Sequence, residues 1–362
     1  MIQSFVPRYF GAVCTLTPTK RYIPVAVNVA VVGATGAVGD LIRRVLAERD
    51  FPVKTIKFLA SEKSVGKPVD YAGRTYTVEP ITAKAFENVQ IVLSSTPSSV
   101  SKEWSPIAAA AGAYVVDNSS AWRMDPDCPL VVPEVNADQL HHAKKRIIAN
   151  PNCVAIPLCV ALKPLHDLAT VTRVVVCTYQ SSSGKGAKGL IDFEAQLHAY
   201  AAGKPVPAPT SHRAQLAGNV ITLDWTLDDN GFTEEENKVI NETRKILGMP
   251  NLGICPTCVR VPVKVAHSEA VTVEFARPLS VADAKAALAI APGVVLMDET
   301  RGEFPQPIHA EGHDHTFVGR VRQDPSNPNA LALWVVADNL RKGAASNAVQ
   351  CAQELVKRGI VK

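Results

Sequence analysis

The sequence predicts an α/β protein in which a Rossmann-type doubly wound parallel sheet domain is followed by an α+β domain with a mixed sheet. Three observations carry this. First, a β-branched run, Val27-Asn28-Val29-Ala30-Val31-Val32, ends on a glycine-rich turn that opens an amphipathic segment at 40–46. Second, apolar runs at 55–60, 90–94 and 113–117 alternate with helix-like stretches such as 105–111. That is the texture of strands buried on both faces of a parallel sheet. Third, after about residue 152 longer strands are expected at 173–180, 258–265, 270–275, 316–322 and 330–337. These alternate or run apolar, as in a mixed sheet with helices on one face.

A chain of 362 residues is too long for one ordinary core. The expected division is 27–152 for the first domain, completed by a C-terminal helix at 343–362, and 153–342 for the second. Residues 1–26 precede the first strand and contain no acidic residue, Asp40 being the first in the chain. They read as an extra leader; a basic organelle-targeting peptide shares some of these features. The proline-rich stretch at 203–210 reads as a surface connection. A net charge of +4 makes no case for nucleic acid or membrane, though basic residues can gather around an anionic ligand. Eight scattered cysteines point to free thiols in a reducing, cytoplasmic setting. No apolar run approaches the roughly 18 residues of a membrane span.

Within the first unit, Gly33, Gly36 and Gly39 punctuate Gly33-Ala34-Thr35-Gly36-Ala37-Val38-Gly39 between strand and helix. Such a turn lets backbone approach a pyrophosphate at a helix N-terminus, so Gly33, Thr35, Gly36, Ala37, Val38 and Gly39 are candidate cofactor contacts. A second candidate group follows the second strand. An NAD enzyme usually places an acid there, but here Ser61, Lys63 and Ser64 offer donors to a 2′-phosphate, which favours NADP, with Glu62 expected to point outward.

A short strand at 146–149 leads into Asn150-Pro151-Asn152-Cys153, and an apolar helix follows. A thiol at a helix N-terminus is expected to have a lowered pKa and to attack carbonyls at neutral pH. The pattern alone leaves a catalytic and a buried structural cysteine both open. Cys255-Pro256-Thr257-Cys258 has metal-type spacing without a second half. His309, His313 and His315 read as a polar loop, so no metal is expected. Thr233 with Glu236 forms a capping-box pattern, which makes a solvated helix start the plain reading of 235–238.

Taken in order, these landmarks resemble the aspartate-semialdehyde dehydrogenase family over roughly residues 27–360. They are GATGAVG at 33–39, VVDNSSAWR at 115–123, PLVVPEVN at 129–136 and NPNC at 150–153. TYQSSSGKGA at 178–187, EENK at 235–238, CVRVPVKVAHSEAV at 258–271, TFVGRVR at 316–322 and WVVADNLRKGAA at 334–345 continue the series. The resemblance implies that Cys153 is the nucleophile, aided by Asn152, and that Gln180 orients the substrate or thioester. It implies His267 as acid/base, Arg260 as the grip on the substrate carboxylate, and Glu235 as the partner of its ammonium group. Arg123 and Lys238 correspond to the phosphate site. Ser183, Gly184 and Asn339 correspond to cofactor-side turns. Three places depart from the family pattern: Lys63 stands where arginine is common, 94–99 lacks a glycine-rich turn, and Lys185 is unusual.

The implied reaction is NADPH-dependent reductive dephosphorylation of L-aspartyl-4-phosphate to L-aspartate 4-semialdehyde, reversible and phosphate-dependent, through a Cys153 thioester. It belongs to lysine, threonine and methionine biosynthesis, including the diaminopimelate route. The resemblance further implies a homodimer or homotetramer whose second domain is catalytic and dimerising. The alternatives are an N-acetyl-glutamyl-phosphate reductase-like enzyme and an inactive nucleotide-binding paralogue. Retention of Cys153, Gln180 and His267 argues against the second of these.

Overall fold

The computed structural model describes residues 25–361, so most of the expected leader lies outside the described residues. The first half alternates β1 (Val27–Val32), α1 (Ala37–Glu48) and β2 (Val53–Ala60). A small hairpin follows, β3 (Pro68–Tyr71) and β4 (Arg74–Thr77), then the short β5 (Glu79–Pro80). Next come β6 (Ile91–Ser94), α2 (Ser98–Ala110), β7 (Tyr114–Asp117), α3 (Pro133–Asn136) and β8 (Ile147–Ala149). The six-stranded sheet has the order β5-β2-β1-β6-β7-β8, and every pairing in it is parallel. β-branched residues suit this setting because both faces are covered. Val27, Val29 and Val31 pack with Ile42, Val45 and Leu46 of α1, while Ala30 and Val32 pack on the opposite face with Leu59 and Val115. The helix predicted at 105–111 is the second half of α2, which begins at Ser98 and runs through Pro106.

The second half opens with α4 (Ala155–Ala169), β9 (Val171–Gln180) and α5 (Gly186–Ala201). It continues with α6 (Glu234–Leu247), β10 (Gly253–Arg260), β11 (His267–Phe275), α7 (Val281–Ile290) and β12 (Val294–Leu296). The short α8 (Pro307–Ala310) precedes β13 (Thr316–Gln323) and β14 (Ala330–Ala337). The sheet order is β10-β9-β11-β14-β13-β12; the outer pairs are parallel and the inner ones antiparallel, which makes it the expected mixed sheet. α4 covers one face with fully buried Leu158, Leu162 and Leu165; truncating such a leucine to alanine costs about 2–5 kcal/mol. The other face presents Tyr179 and Trp334, whose ring centres lie 5.2 Å apart.

One expected strand is displaced. The apolar alternation at 258–265 predicts a strand there, but β10 ends at Arg260. Pro262 has no N–H for a ladder, and the chain turns tightly, with Val263 N–H donating to the Val261 carbonyl at 2.8 Å. The carbonyls of Val263 and Lys264 then receive the N–H groups of Ser182 and Ser183. Arg260 and His267 thus lie at opposite ends of one turn. After β14 the chain forms a π-helical turn, Arg341–Ala345, and then α9 (Ser346–Lys357). α9 buries Ala348, Val349, Ala352, Leu355 and Val356 in the core of the first sheet.

Candidate active site

β1 and β6 are the neighbours at which the strand order of the first sheet reverses, and a doubly wound sheet opens its crevice beyond their carboxyl ends. Gly33 has φ of +80°, and a Cβ there would lie 2.2 Å from the Ser95 carbonyl oxygen. A Cβ on Gly39 would lie 2.1 Å from the Gly33 oxygen. Both glycines are therefore required by close backbone approach. Gly36 is the N-cap of α1, and Ala37, Val38 and Gly39 form its first turn, where N–H groups lack intrahelical acceptors and suit an anion. Thr35 Oγ1 hydrogen-bonds Ser64 Oγ at 3.2 Å, which joins the glycine turn to the turn at the end of β2. Ser61, Glu62 and Lys63 are exposed on that turn.

From Val38, Ser95, Thr96 and Pro97 a cavity of about 760 Å³ extends to Cys153. Its wall brings together Asn152, Gln180, Ser183, Gly184, Glu235, Arg260 and Asn339. Arg123 and Lys238 also line it. Gly33, Thr35, Gly36, Ala37, Gly39, Ser61, Lys63 and Ser64 lie outside this wall, at the glycine-turn end. His267 is buried behind it.

The network around Cys153 is built by α6. Asn152 Nδ2 and Gln180 Nε2 both donate to Glu235 Oε1 at 3.0 Å. Thr178 Oγ1 donates to Gln180 Oε1 at 3.1 Å, setting the amide's orientation. Glu242 accepts Asn152 N–H at 2.6 Å and Arg123 Nη1 at 3.0 Å. Lys238 Nζ pairs with Glu234, so each expected phosphate cation already has a carboxylate beside it. The capping box of Thr233 and Glu236 is present at the start of α6, alongside a face that lines the cavity with Glu235 and Lys238. Sequence reasoning missed Glu242, although 235, 238 and 242 share one helix face by period. Gly343 was also missed: a Cβ there would lie 2.9 Å from Cys153 Cβ. The turn that carries it is held by Lys342, buried with Nζ 2.7 Å from Glu134 Oε2.

The electrostatics correct one expectation. Cys153 lies two residues before α4, yet its thiol is pushed up to about 12 rather than lowered. Burial is the main cause and the Glu235 carboxylate the next, while the Arg123 and Arg260 guanidiniums oppose them. His267 is held down to about 3, first by burial and then by Arg260. Its Nδ1 accepts Ser181 N–H at 3.0 Å, so the neutral ring carries its proton on Nε2. Nε2 is buried with no protein partner among the described residues. A Cβ on Gly184 would lie 3.3 Å from it and 2.9 Å from Arg260 Nη1. Asn339 Oδ1 accepts from Ser181 Oγ, Ser183 Oγ and Ala266 N–H, tying the two turns expected on the cofactor side to this corner.

Residues 28–143 match the semialdehyde dehydrogenase NAD-binding domain, and residues 162–342 match the semialdehyde dehydrogenase dimerisation domain. Aspartate-semialdehyde dehydrogenase of Aquifex aeolicus is 48% identical over 337 residues, 92% of this chain and 99% of that protein. The Synechocystis protein of the same name is 46% identical over 338 residues, 93% of this chain and 99% of the other. The crystal structure of aspartate semialdehyde dehydrogenase II from Vibrio cholerae, complexed with ASA, superposes with a TM-score of 0.88 at 43% identity. That alignment covers 92% of this chain and 99% of the other.

Proposed function

The chain belongs to the aspartate-semialdehyde dehydrogenase family, and on that premise we propose that it reduces L-aspartyl-4-phosphate to L-aspartate 4-semialdehyde through a Cys153 thioester. The observation that carries this reading is the convergence of Cys153, Gln180, Glu235 and Arg260 in one cavity that reaches the glycine-turn crevice. Arg260 takes the substrate α-carboxylate, which a guanidinium can bind bidentately. Glu235 takes the ammonium group. The acyl carbon then meets Cys153, whose thiolate adds to it. Phosphate leaves with the C–O bonding pair toward Arg123 and Lys238, and a thioester remains.

The crevice suits a dinucleotide because backbone comes close at Gly33 and Gly39 and the first turn of α1 has N–H groups to offer. When bound, the reduced nicotinamide supplies the hydride that takes the thioester to the aldehyde level. Gly33, Thr35, Gly36, Ala37, Val38 and Gly39 would hold the pyrophosphate end, with Ser183, Gly184 and Asn339 nearer the reacting carbon. At the aldehyde level that carbon bears a negatively charged oxygen, and the orphaned Nε2–H of His267 fits an oxygen acceptor. Full proton transfer needs a second proton on the ring, at Nδ1, which Ser181 N–H now occupies. The hydrogen-bond-donor form of the acid/base role therefore suits this geometry better. Collapse of the adduct expels the Cys153 thiolate and releases the aldehyde.

NADP is the proposed cofactor, since Ser61, Lys63 and Ser64 offer donors for a 2′-phosphate and Glu62 is exposed. We assign 27–152 with the C-terminal helix to the dinucleotide and 153–342 to catalysis and dimerisation. A homodimer follows from the family of the second domain, with phosphate as co-substrate of the reverse reaction. The seven cysteines among the described residues are free thiols, in keeping with a cytoplasmic enzyme of lysine, threonine and methionine biosynthesis. The direct test is phosphate- and NADP-dependent oxidation of aspartate semialdehyde. Cys153→Ser should fold and bind NADP but lose nearly all turnover, and near-parent activity in that variant would remove the covalent route.

A further inference from the structure

Lys185 is the charged residue of the 178–187 motif, and the cofactor and substrate readings leave it unused. Its Nζ donates to the Ser211 carbonyl at 2.7 Å, to the Asp224 carbonyl at 3.2 Å and to Asp224 Oδ1 at 3.0 Å. Asp224 lies in the irregular chain between α5 and α6 with its side chain wholly buried. Oδ1 also accepts Arg213 N–H, while Oδ2 accepts His212 Nδ1 and Arg260 Nε, each at 3.0 Å. His212 Nε2 in turn lies 2.9 Å from Ser182 Oγ, so the hub is anchored back to the turn that precedes Gly184. Burial pushes the Asp224 carboxyl up, but the bonds from His212, Arg213 N–H, Lys185 and Arg260 outweigh it and hold the pKa well below the usual range.

Arg260 is gripped on three sides by this arrangement. Nε meets Asp224, Nη1 donates to the Ser181 carbonyl at 2.6 Å, and the guanidinium carbon sits 4.5 Å from the Trp225 ring centre. A guanidinium is a rigid plane of five N–H donors, so fixing Nε and one face orients the whole fork, and a ring face adds cation–π attraction. The bonds described use Nε and Nη1, and Arg260 lines the cavity with its fork so oriented.

We propose that Asp224 is a positioning residue that sets the recognition of the substrate α-carboxylate through Arg260, with Lys185 and His212 holding Asp224 in place. This rests on the reading of Arg260 as the carboxylate grip. Without the Asp224 charge, the guanidinium loses its inner partner and the fork no longer has one orientation toward the cavity. Because Asp224 and Trp225 are adjacent, one short stretch of the connection between α5 and α6 aims the arginine from two directions.

The test uses the full-length enzyme as parent, D224N, R260L and the double variant. Kinetics are measured with aspartate semialdehyde and with 3-aminopropanal, the same amino aldehyde without its carboxylate. D224N should raise KM for aspartate semialdehyde at least about tenfold with a smaller change in kcat, leave kcat/KM for 3-aminopropanal and the NADP dissociation constant unchanged, and add nothing in the R260L background. An equal loss on 3-aminopropanal, or a full additional loss in the double variant, would make the role structural and overturn the proposal. If R260L raises KM and D224N does not, Asp224 is excluded while the Arg260 reading stands. An unchanged KM in R260L sinks both. Should D224N not fold, Lys185→Met leaves Asp224 itself in place and removes the Nζ bonds to its side chain, to its carbonyl and to the Ser211 carbonyl. It carries the same expectation of a several-fold rise in KM that vanishes beside R260L, and an unchanged KM there overturns the proposal.

Discussion

Glu235 stands where a carboxylate works against the nucleophile, since after burial it is the largest cause of the raised Cys153 thiol pKa. Its Oε1 already accepts two amides, from Asn152 and Gln180, neither of which brings positive charge, and the Lys238 ammonium stands 3.8 Å from its Oε2. A substrate ammonium seated there would cancel the carboxylate's field, so the thiolate is favoured once the substrate is in place. The sign is testable without substrate. Glu235→Gln removes the negative charge, lowers the thiol pKa and increases the thiolate fraction at any pH below it, by about tenfold for each unit. Iodoacetamide should therefore modify Cys153 several-fold faster in that variant at pH 8, read by mass spectrometry with Cys153→Ser as the blank. An unchanged rate would mean that burial alone governs the thiol.

At the scale of elements, the proposed preference for NADP rests on the turn after β2. Thr35 and Ser64 bind the glycine turn to the Glu62–Ser64 turn, so a 2′-phosphate held there is registered against the pyrophosphate site. Lys63 is exposed, and screening limits its contribution to about 1 kcal/mol. The joint change of Lys63 and Ser64 to alanine should reduce the kcat/KM preference for NADP over NAD by roughly 5–10-fold. That preference should also shrink in the parent as salt rises. A parent enzyme that prefers NAD would place Glu62 on the ribose instead and leave the Cys153 chemistry untouched.

Across the whole molecule, Asp314, in the bend that leads into β13, ties the second sheet to the first core. It accepts Arg49 Nη1 at 2.9 Å from just beyond α1 and Arg341 Nε at 2.8 Å from the π-helical turn, and it also bonds Ser346 at the start of α9. Burial raises its pKa, but Ser346, Arg341 and Arg49 outweigh it and the net direction is downward. A lowered folded pKa means stabilisation that is fully present above the unfolded value, near 3.8, and lost as pH falls through the folded one. Asp314→Asn should thus lower stability at pH 7 by about 1–3 kcal/mol. The gap to the parent should close as pH falls below about 4. A gap that persists at pH 3 would assign the loss to packing rather than charge.

How much was legible in the sequence divides along a physical line. Short-range patterns were readable because their causes are local. The β-branched run before Gly33, the capping box of Thr233 and Glu236 and the apolar helix after Cys153 each depend on neighbours within a few residues. The mixed sheet was readable from the alternation of its strands, although Pro262 moved one of them. What only the tertiary structure decided depends on groups far apart in the chain. The Cys153 thiol is expected to be acidic from its place before α4. It is held at about 12 because burial removes water from it and Glu235 is folded against it from α6. Asp224 carries no motif, and its meeting with Lys185, His212 and Arg260 exists only after three segments converge. Local propensity reaches a few residues, whereas desolvation and charge act through space, so the site's electrostatics emerge only when the chain is folded.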